Sequence, residues 1–293
     1  MIIIPGEIKT GLLHSYLLGA IAPRPICFAS TIDAYGNPNL SPFSFFNVFG
    51  SNPTTLIFSP SRKVRDNTIK HTLENIYDTS EVVINVVNYA MVQQMSLSSC
   101  EYPKGVDEFV KAGFTKLASE KVKPYRLAES PVQLECKVRQ VIETGTEGGA
   151  GNLVICEVLV MHINDAVLDE QQRIDPHKID LVARMGFDYY CRASGAAVFE
   201  VAKPNTQLGI GIDQLPHSIR NSTTLTGNHL GILANVTELP NIDPAFFDDR
   251  VKQIIQYYSI SPEEMERELQ LYAAALLQQD RVNEAWQVLL TTA

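Results

Sequence analysis

No apolar run in the 293 residues reaches the roughly 18 that a membrane-spanning helix needs, so no membrane span is expected. Cationic excess is missing too. Lys and Arg number 24 against 33 Asp and Glu, a net charge of −9. That balance disfavours non-specific binding to nucleic acid or anionic lipid and leaves room only for a local basic patch. The cysteines, Cys27, Cys100, Cys136, Cys156 and Cys191, are odd in number and show no CxxC spacing. Reduced thiols in a cytoplasmic protein fit this better than disulfides or zinc. None of the 6 histidines forms HExxH or another spaced metal motif. A Gly-x-Ser-x-Gly elbow is absent, which removes sequence support for a hydrolase triad. Leu208-Gly209-Ile210-Gly211-Ile212 lacks the third glycine of a dinucleotide fingerprint. The opening Met1-Ile2-Ile3-Ile4-Pro5 has no basic region before its apolar run, so it does not read as a signal peptide. So little chemistry of the chain's own suits a protein whose cofactor does the chemistry.

What the chain does have is concentrated between Ala20 and Thr72. Pro25 to Asp33 carries Ile26, Phe28 and Ile32 in a run dense in strand formers. Tyr35-Gly36-Asn37-Pro38 is turn chemistry, because Gly and Asn tolerate positive φ and Pro38 pre-sets the next one. Ser41 to Asn47 sets Phe43, Phe45 and Phe46 among small hydroxyl residues, and Leu56-Ile57-Phe58 reads as a short buried strand. Ser59 to Thr72 then holds the cations Arg62, Lys63, Arg65 and Lys70 and the hydroxyls of Ser59, Ser61, Thr68 and Thr72, just ahead of a helix that Thr72 is placed to cap. Such a loop suits a phosphate. It suits a solvated basic surface equally well, and the residues alone leave both readings open.

The pieces also have a recognisable order. Ala22-Pro23-Arg24-Pro25 leads into Ser30-Thr31-Ile32-Asp33, then Gly36-Asn37-Pro38-Asn39-Leu40-Ser41-Pro42-Phe43-Ser44-Phe45-Phe46-Asn47. Asn52-Pro53-Thr54 and Lys70-His71-Thr72-Leu73-Glu74-Asn75-Ile76 follow, and later Tyr102 to Phe109 and Arg184 to Tyr190. In this order the segments resemble the flavin reductase-like family, flavoredoxins among them, with its FMN-binding split-barrel fold. They span roughly residues 15–195. The family more often has an acid where His71 stands, so His71 itself carries no role over. The resemblance implies FMN as cofactor, NADH or NADPH as electron donor, and a homodimer. It also implies that the Cys100 to Thr115 loop lies near the flavin, where an ordered surface connection is the plainer alternative.

Residues 7–21 read as a short helix, Glu81 to Val87 as a strand, and Tyr89 to Ser99 as a helix whose Met91, Met95 and Leu97 pack inward. Asp107 and Glu108 read as solvated acids. Pro131 to Val141 alternates cleanly, with Val132, Leu134, Cys136 and Val138 on one face and Gln133, Glu135, Lys137 and Arg139 on the other. That period of two predicts a half-buried antiparallel strand, which Asn152 to Ile163 completes as a long hairpin. Many strands and few long helices favour a barrel over a βαβ sheet. Residues 201–243 form an irregular arm, rich in Asn, Thr, Gly and Pro. In 244–293, Ser261, Pro262 and Glu264 suggest a capped helix start, and stripes through Met265, Leu269, Tyr272, Leu276 and then Val282, Trp286, Leu289 make a helical hairpin. One such pair cannot bury its own face, so docking on the barrel or on another subunit is expected. The expectation is therefore a mainly β split barrel over residues 1–200 with peripheral helices and an α-helical C-terminal extension.

A flavin site in this chain would draw its phosphate ligands from Ser59, Ser61, Arg65, Asn67, Thr68, Lys70 and Thr72. Ser30, Thr31 and Asn47 could meet the polar edge of the ring, and Phe45, Phe46, Phe187 and Tyr190 could cover it. Each Phe alone reads at least as well as core. No catalytic side chain and no metal ligand is identifiable. The expected activity is hydride transfer from NAD(P)H to FMN, held or released. An electron carrier or a reductase of another acceptor is the alternative enzyme. A non-catalytic flavin-binding protein that uses its C-terminal hairpin for a partner is the alternative of another class.

Overall fold

The strand-rich part of the chain folds as the period of its apolar residues requires. The computed structural model describes residues 1–204 and 207–291. After helix α1 (Thr10–Ala20) come β1 (Arg24–Pro25), β2 (Cys27–Ile32), β3 (Pro38–Phe43), β4 (Phe46–Ser51) and β5 (Thr54–Phe58). Next are α2 (His71–Thr79), β6 (Glu81–Val86), α3 (Val92–Ser98) and α4 (Glu108–Ala112). β7 (Lys116–Leu117) and β8 (Arg126–Leu127) form a short ribbon, and β9 (Val132–Glu143) and β10 (Asn152–Ile163) the long hairpin. α5 (Pro176–Ile179), β11 (Val182–Arg184) and β12 (Tyr190–Arg192) complete a unit that runs Met1–Phe199.

Seven strands make one antiparallel sheet in the order β3-β2-β6-β9-β10-β5-β4. β3 and β5 are distant in that order, yet the rings of Phe43 and Phe58 stand 5.2 Å apart. The sheet has therefore rolled around one apolar core, which includes Cys27, Ala29, Leu73, Ile84, Leu134 and Val154. Among the described residues no ladder joins β3 to β4, so the barrel is split along that seam. This is the mainly β split barrel that the strand pattern and the resemblance lead one to expect. Because successive strand residues face opposite sides, Phe28 leaves the barrel interior and enters a second core with Leu40, Met91, Met95, Phe109 and Leu127. That core seats α3 and α4 on the barrel. Met91 and Met95 pack as expected, whereas Leu97 is exposed.

β9 departs from its half-buried reading. Gln133 and Glu135 are as buried as the apolar face opposite them. The β7–β8 segment covers them and supplies the bonds they need. The Glu135 carboxylate accepts from the amides of Glu120 at 2.9 Å and Lys121 at 2.6 Å, and His162 Nε2 lies 2.8 Å from it. The Gln133 amide donates to the carbonyls of Leu127 and Ser130.

The second unit, Glu200–Ala293, has a core of its own. It contains α6 (His217–Arg220), α7 (Gly227–Leu233), α8 (Asp249–Tyr257), α9 (Pro262–Leu277) and α10 (Val282–Leu290). The stripe of Leu269, Leu276, Trp286 and Leu289 is buried against Leu215, Ile219, Leu225 and Leu233 from the preceding segment. That segment, expected to be an irregular arm, is what covers the helical pair. The pair therefore does not depend on the barrel or a second subunit for its apolar face. Asp248 caps α8 by accepting from Arg250 N at 2.8 Å and Val251 N at 3.0 Å, and it also accepts from the Tyr272 hydroxyl at 2.8 Å. Ser261 does precede α9 with Pro262 at its first turn, but its side chain makes no capping bond. Its ψ of 78° falls short of the extended backbone that a capping hydroxyl requires. Among the described residues no helix is long and apolar enough to cross a membrane.

Candidate functional site

The loop between β5 and α2 is held from several sides, and most of its polar groups are engaged. Ser59 Oγ accepts from Asn152 N at 3.1 Å, and the Asn152 amide donates to Pro60 O at 2.7 Å. Asn67 sits at φ +57°, a conformation Asn tolerates, with its Oδ1 taking Arg62 Nε at 2.7 Å and its Nδ2 donating to Thr146 O at 3.0 Å. Thr68 Oγ1 donates to Asp66 Oδ1 at 2.6 Å, which holds the Asp66 carboxyl down to about 2. Ser61 is half-buried at the start of the bend. The hairpin tip closes over the loop. A Cβ on Gly148 would stand 3.0 Å from the Lys63 and Val64 carbonyl oxygens, so any larger residue would push the loop backbone away.

The four cations separate into two groups. Arg62 is bonded inside the loop, Lys63 pairs with Glu101 at 3.3 Å, and Arg65 is exposed and pairs with Glu101 at 3.0 Å and Asp66 at 3.2 Å. Lys70 is different. It is half-buried, lies 5.6 Å over the Phe43 ring, and has no acidic partner among the described residues. Burial, and then the charge of Lys63, push its ammonium below the usual lysine range. Lys70 is also the residue at the N-cap of α2, and no side chain caps that helix. Orphan N–H groups and an ammonium with no bonded acid thus share one place, a combination that suits an anion, against which stand the more distant charge of Glu101 and Glu74 in the first turn.

Thr72, expected as the cap, lies inside the helix instead. Its hydroxyl is fully buried and donates to Asn39 Oδ1 at 2.7 Å. Asn39 Nδ2 in turn donates to Glu108 Oε1 at 3.0 Å, and Leu40 N donates to Glu108 Oε2 at 3.0 Å. Glu108 is therefore not the solvated acid its loop position suggested. It is 4% exposed, and burial raises its carboxyl above the usual range. Its neighbour Asp107 caps α4 and pairs with Lys116. Asn75 of α2 adds a bond of 3.1 Å to the Thr31 hydroxyl. Together these contacts fix the start of α2 against β2, β3 and α4. Thr72→Val is expected to lower stability by about 1–3 kcal/mol, the cost of leaving the buried Asn39 Oδ1 without its donor. Urea unfolding reads it, and an unchanged midpoint would remove this bond from the account.

The remaining candidates divide. Ser30 and Thr31 are adjacent on β2 and so face opposite sides. Thr31 turns toward α2, whereas Ser30 is fully buried with an Oγ that has no partner. Phe46 packs partly on the barrel core, which also holds Phe43 and Phe58. Phe45 is half-exposed, its ring edge-on to His14 at 6.2 Å. Asn47 is exposed and bonds Val48 N at 2.8 Å. Lys70, Thr31 and the loop are thus gathered around the first turns of α2. Phe187 and Tyr190 are not gathered with them. Phe187 is exposed at φ +53°, and Tyr190 lines a groove to which no residue of the 59–72 loop contributes.

Asn39, Asn75 and Glu108 were not among the expected residues, yet they brace the start of α2. A lone Asn or Glu in a sequence gives no sign of burial, and only the folded contact between α4 and β3 reveals it.

Residues 19–178 match the model of the family described as flavin reductase like domain. A protein of Aquifex aeolicus, itself uncharacterized, is 36% identical over 189 residues, which is 64% of this chain and 94% of that protein. Among solved structures, nitrilotriacetate monooxygenase component B from Bacillus cereus superposes with a TM-score of 0.63 at 24% identity, covering 69% of this chain and 98% of that one. The 2-nitrobenzoate 2-nitroreductase of Pseudomonas fluorescens gives 0.63 at 22%, covering 72% and 100%. At these identities the structural likeness establishes the split-barrel fold.

Proposed function

The chain belongs to the flavin reductase-like family, and on that premise we propose that it binds FMN and accepts hydride onto it from NADH or NADPH. The observation that carries the reading is Lys70, the one cation of its loop with neither an acid nor a loop bond among the described residues, placed at an uncapped helix start. A phosphate there would compensate the desolvated ammonium and take the free amides of α2. Thr31 and the Thr72–Asn39–Glu108 chain hold that start in position, and Phe45 and Phe46 are the proposed apolar cover of the ring. When bound, the flavin would supply the hydride-accepting ring, so the protein's part is to bind, orient and exclude water.

Phe45, Val48 and Phe49 are exposed apolar residues at the strand seam, and Leu12, Tyr16 and Leu17 are exposed on α1. An apolar surface of this kind supports the proposal of a homodimer.

Purified protein is expected to bring a flavin spectrum, or to acquire one on FMN addition, and to oxidise NADH or NADPH. FMN that stays bound through gel filtration while a second acceptor is reduced would favour the electron carrier or the reductase of another acceptor. Flavin binding without oxidation of either nucleotide would overturn the enzyme reading and leave a flavin-binding protein.

A further inference from the structure

The groove between α3 and β11–β12 plays no part in the phosphate site above. Its volume is 430 Å³, inside the roughly 300–1,000 Å³ of small-molecule sites. Val92 and Val182 give it apolar surface, and the rings of Tyr89 and Tyr190 flank it. Each tyrosine carries a stacked guanidinium, Arg192 over Tyr89 at 4.0 Å and Arg184 over Tyr190 at 4.5 Å.

The two arginines differ in how their charge is met. Arg192 is clamped by Asp180 through two bonds of 2.7 Å. Arg184 donates to the carbonyl of Phe187 at 2.5 Å, and its nearest acid, Asp188, is 3.6 Å away with its carboxylate fully in solvent. An exposed pair at that distance compensates little. Arg184 thus presents a cation to the groove, held flat by Tyr190. Gln93 and Ser96 add hydrogen-bonding side chains from the α3 wall.

Stacking faces beside an undercompensated guanidinium select a flat ring that carries an anion. A single-ring acid would leave much of the groove empty, whereas base, sugar and phosphate together suit both its volume and its polar side chains. We propose that this groove binds a nucleoside phosphate, with the base between the tyrosine–arginine layers and the phosphate on Arg184. The same chemistry has two sources. One is the adenosine phosphate half of the nicotinamide dinucleotide, which rests on the reaction proposed above. The other is a separate nucleotide.

The test is calorimetric titration of ADP into the full chain saturated with FMN, for the parent, Arg184→Gln and Ser96→Phe. Ser96 is exposed on α3, so the phenylalanine fills the groove without removing a folded contact. Both variants are expected to weaken ADP about tenfold or more, Arg184→Gln by the loss of one charge-assisted bond and Ser96→Phe by occupying the groove, with FMN affinity unchanged. Competition of ADP with oxidation of NADH or NADPH, whichever the protein uses, with a raised KM at constant kcat in the variants, identifies the dinucleotide. ADP binding without competition, or with oxidation of neither NADH nor NADPH, identifies a separate nucleotide. No ADP binding in the parent, or binding that neither variant alters, overturns the proposal. So does a loss of FMN in parallel with ADP, because the groove would then belong to the flavin.

Discussion

Replacing Lys70 with alanine is expected to weaken FMN binding by about 1.5–3 kcal/mol, or roughly 10–150-fold in Kd, the range for a charge-assisted hydrogen bond. Riboflavin, which has no phosphate, is expected to lose much less. The contrast with Arg65 sharpens the expectation. Arg65 also stands in the loop, but it is exposed and already shared between Glu101 and Asp66. Exposed pairs of that kind are worth little, and Arg65→Ala should change FMN affinity far less than Lys70→Ala. The protein without flavin gives a second reading. A half-buried ammonium with no acid partner costs stability, so Lys70→Ala should leave the flavin-free protein as stable as the parent or more so. Fluorescence titration with FMN and riboflavin, beside urea unfolding without ligand, decides the matter. Equal losses for both flavins would move the phosphate elsewhere. A destabilised flavin-free variant would make Lys70 a structural residue.

The largest stability effect is expected at Trp286. It is fully buried, and its cluster draws on both the 201–243 segment and the last helices. Truncating a buried Trp to Ala costs about 3–5 kcal/mol, a large share of what a small unit has. The barrel unit has its own two cores, so Trp286→Ala should unfold the second unit at a lower denaturant concentration and leave FMN binding intact. Deletion of residues 244–293 goes further. It strands Leu215, Ile219, Leu225 and Leu233 without a partner and is expected to lower solubility, whereas a cut after Phe199 removes both halves of that core together. Circular dichroism through the denaturant range, with bound flavin as reporter of the barrel, reads both. A Trp286→Ala protein whose transitions match the parent would refute the account of this core.

How far the chain could be read from its residues depended on whether a signal was local. The alternation along Val132 to Val138 located β9 and its hairpin, because side-chain period is written in the sequence. It could not say that Gln133 and Glu135 are covered, because their cover is the β7–β8 ribbon and the partners are amides of Glu120 and Lys121. The basic loop was legible as a candidate anion site. Which of its cations remains uncompensated was not, since that depends on Glu101, an acid 36 residues from Arg65. Thr72 had the right residue type for a cap, but Asn39 claims its hydroxyl across the fold. The arm before the last helices looked irregular for a real reason. Its helices are short, and its apolar residues are spaced to fit the pair that follows rather than any period of their own.

The buried thiols give this barrel a clock of its own. Cys27 on β2, Cys136 on β9 and Cys156 on β10 all lie in the barrel interior. Burial pushes the Cys136 thiol up to about 12 and raises Cys27 and Cys156 well above the ordinary range. Only the thiolate reacts, so a labelling reagent at mild pH should pass over all three while the barrel is shut and take exposed Cys100 at once. Each later modification then marks an opening of the strand that carries it. Mass spectrometry over time would rank β2 against β9 and β10 by how often each parts from its neighbours, with no probe added to the chain. Slower labelling in the presence of FMN would show which seam the ligand fastens.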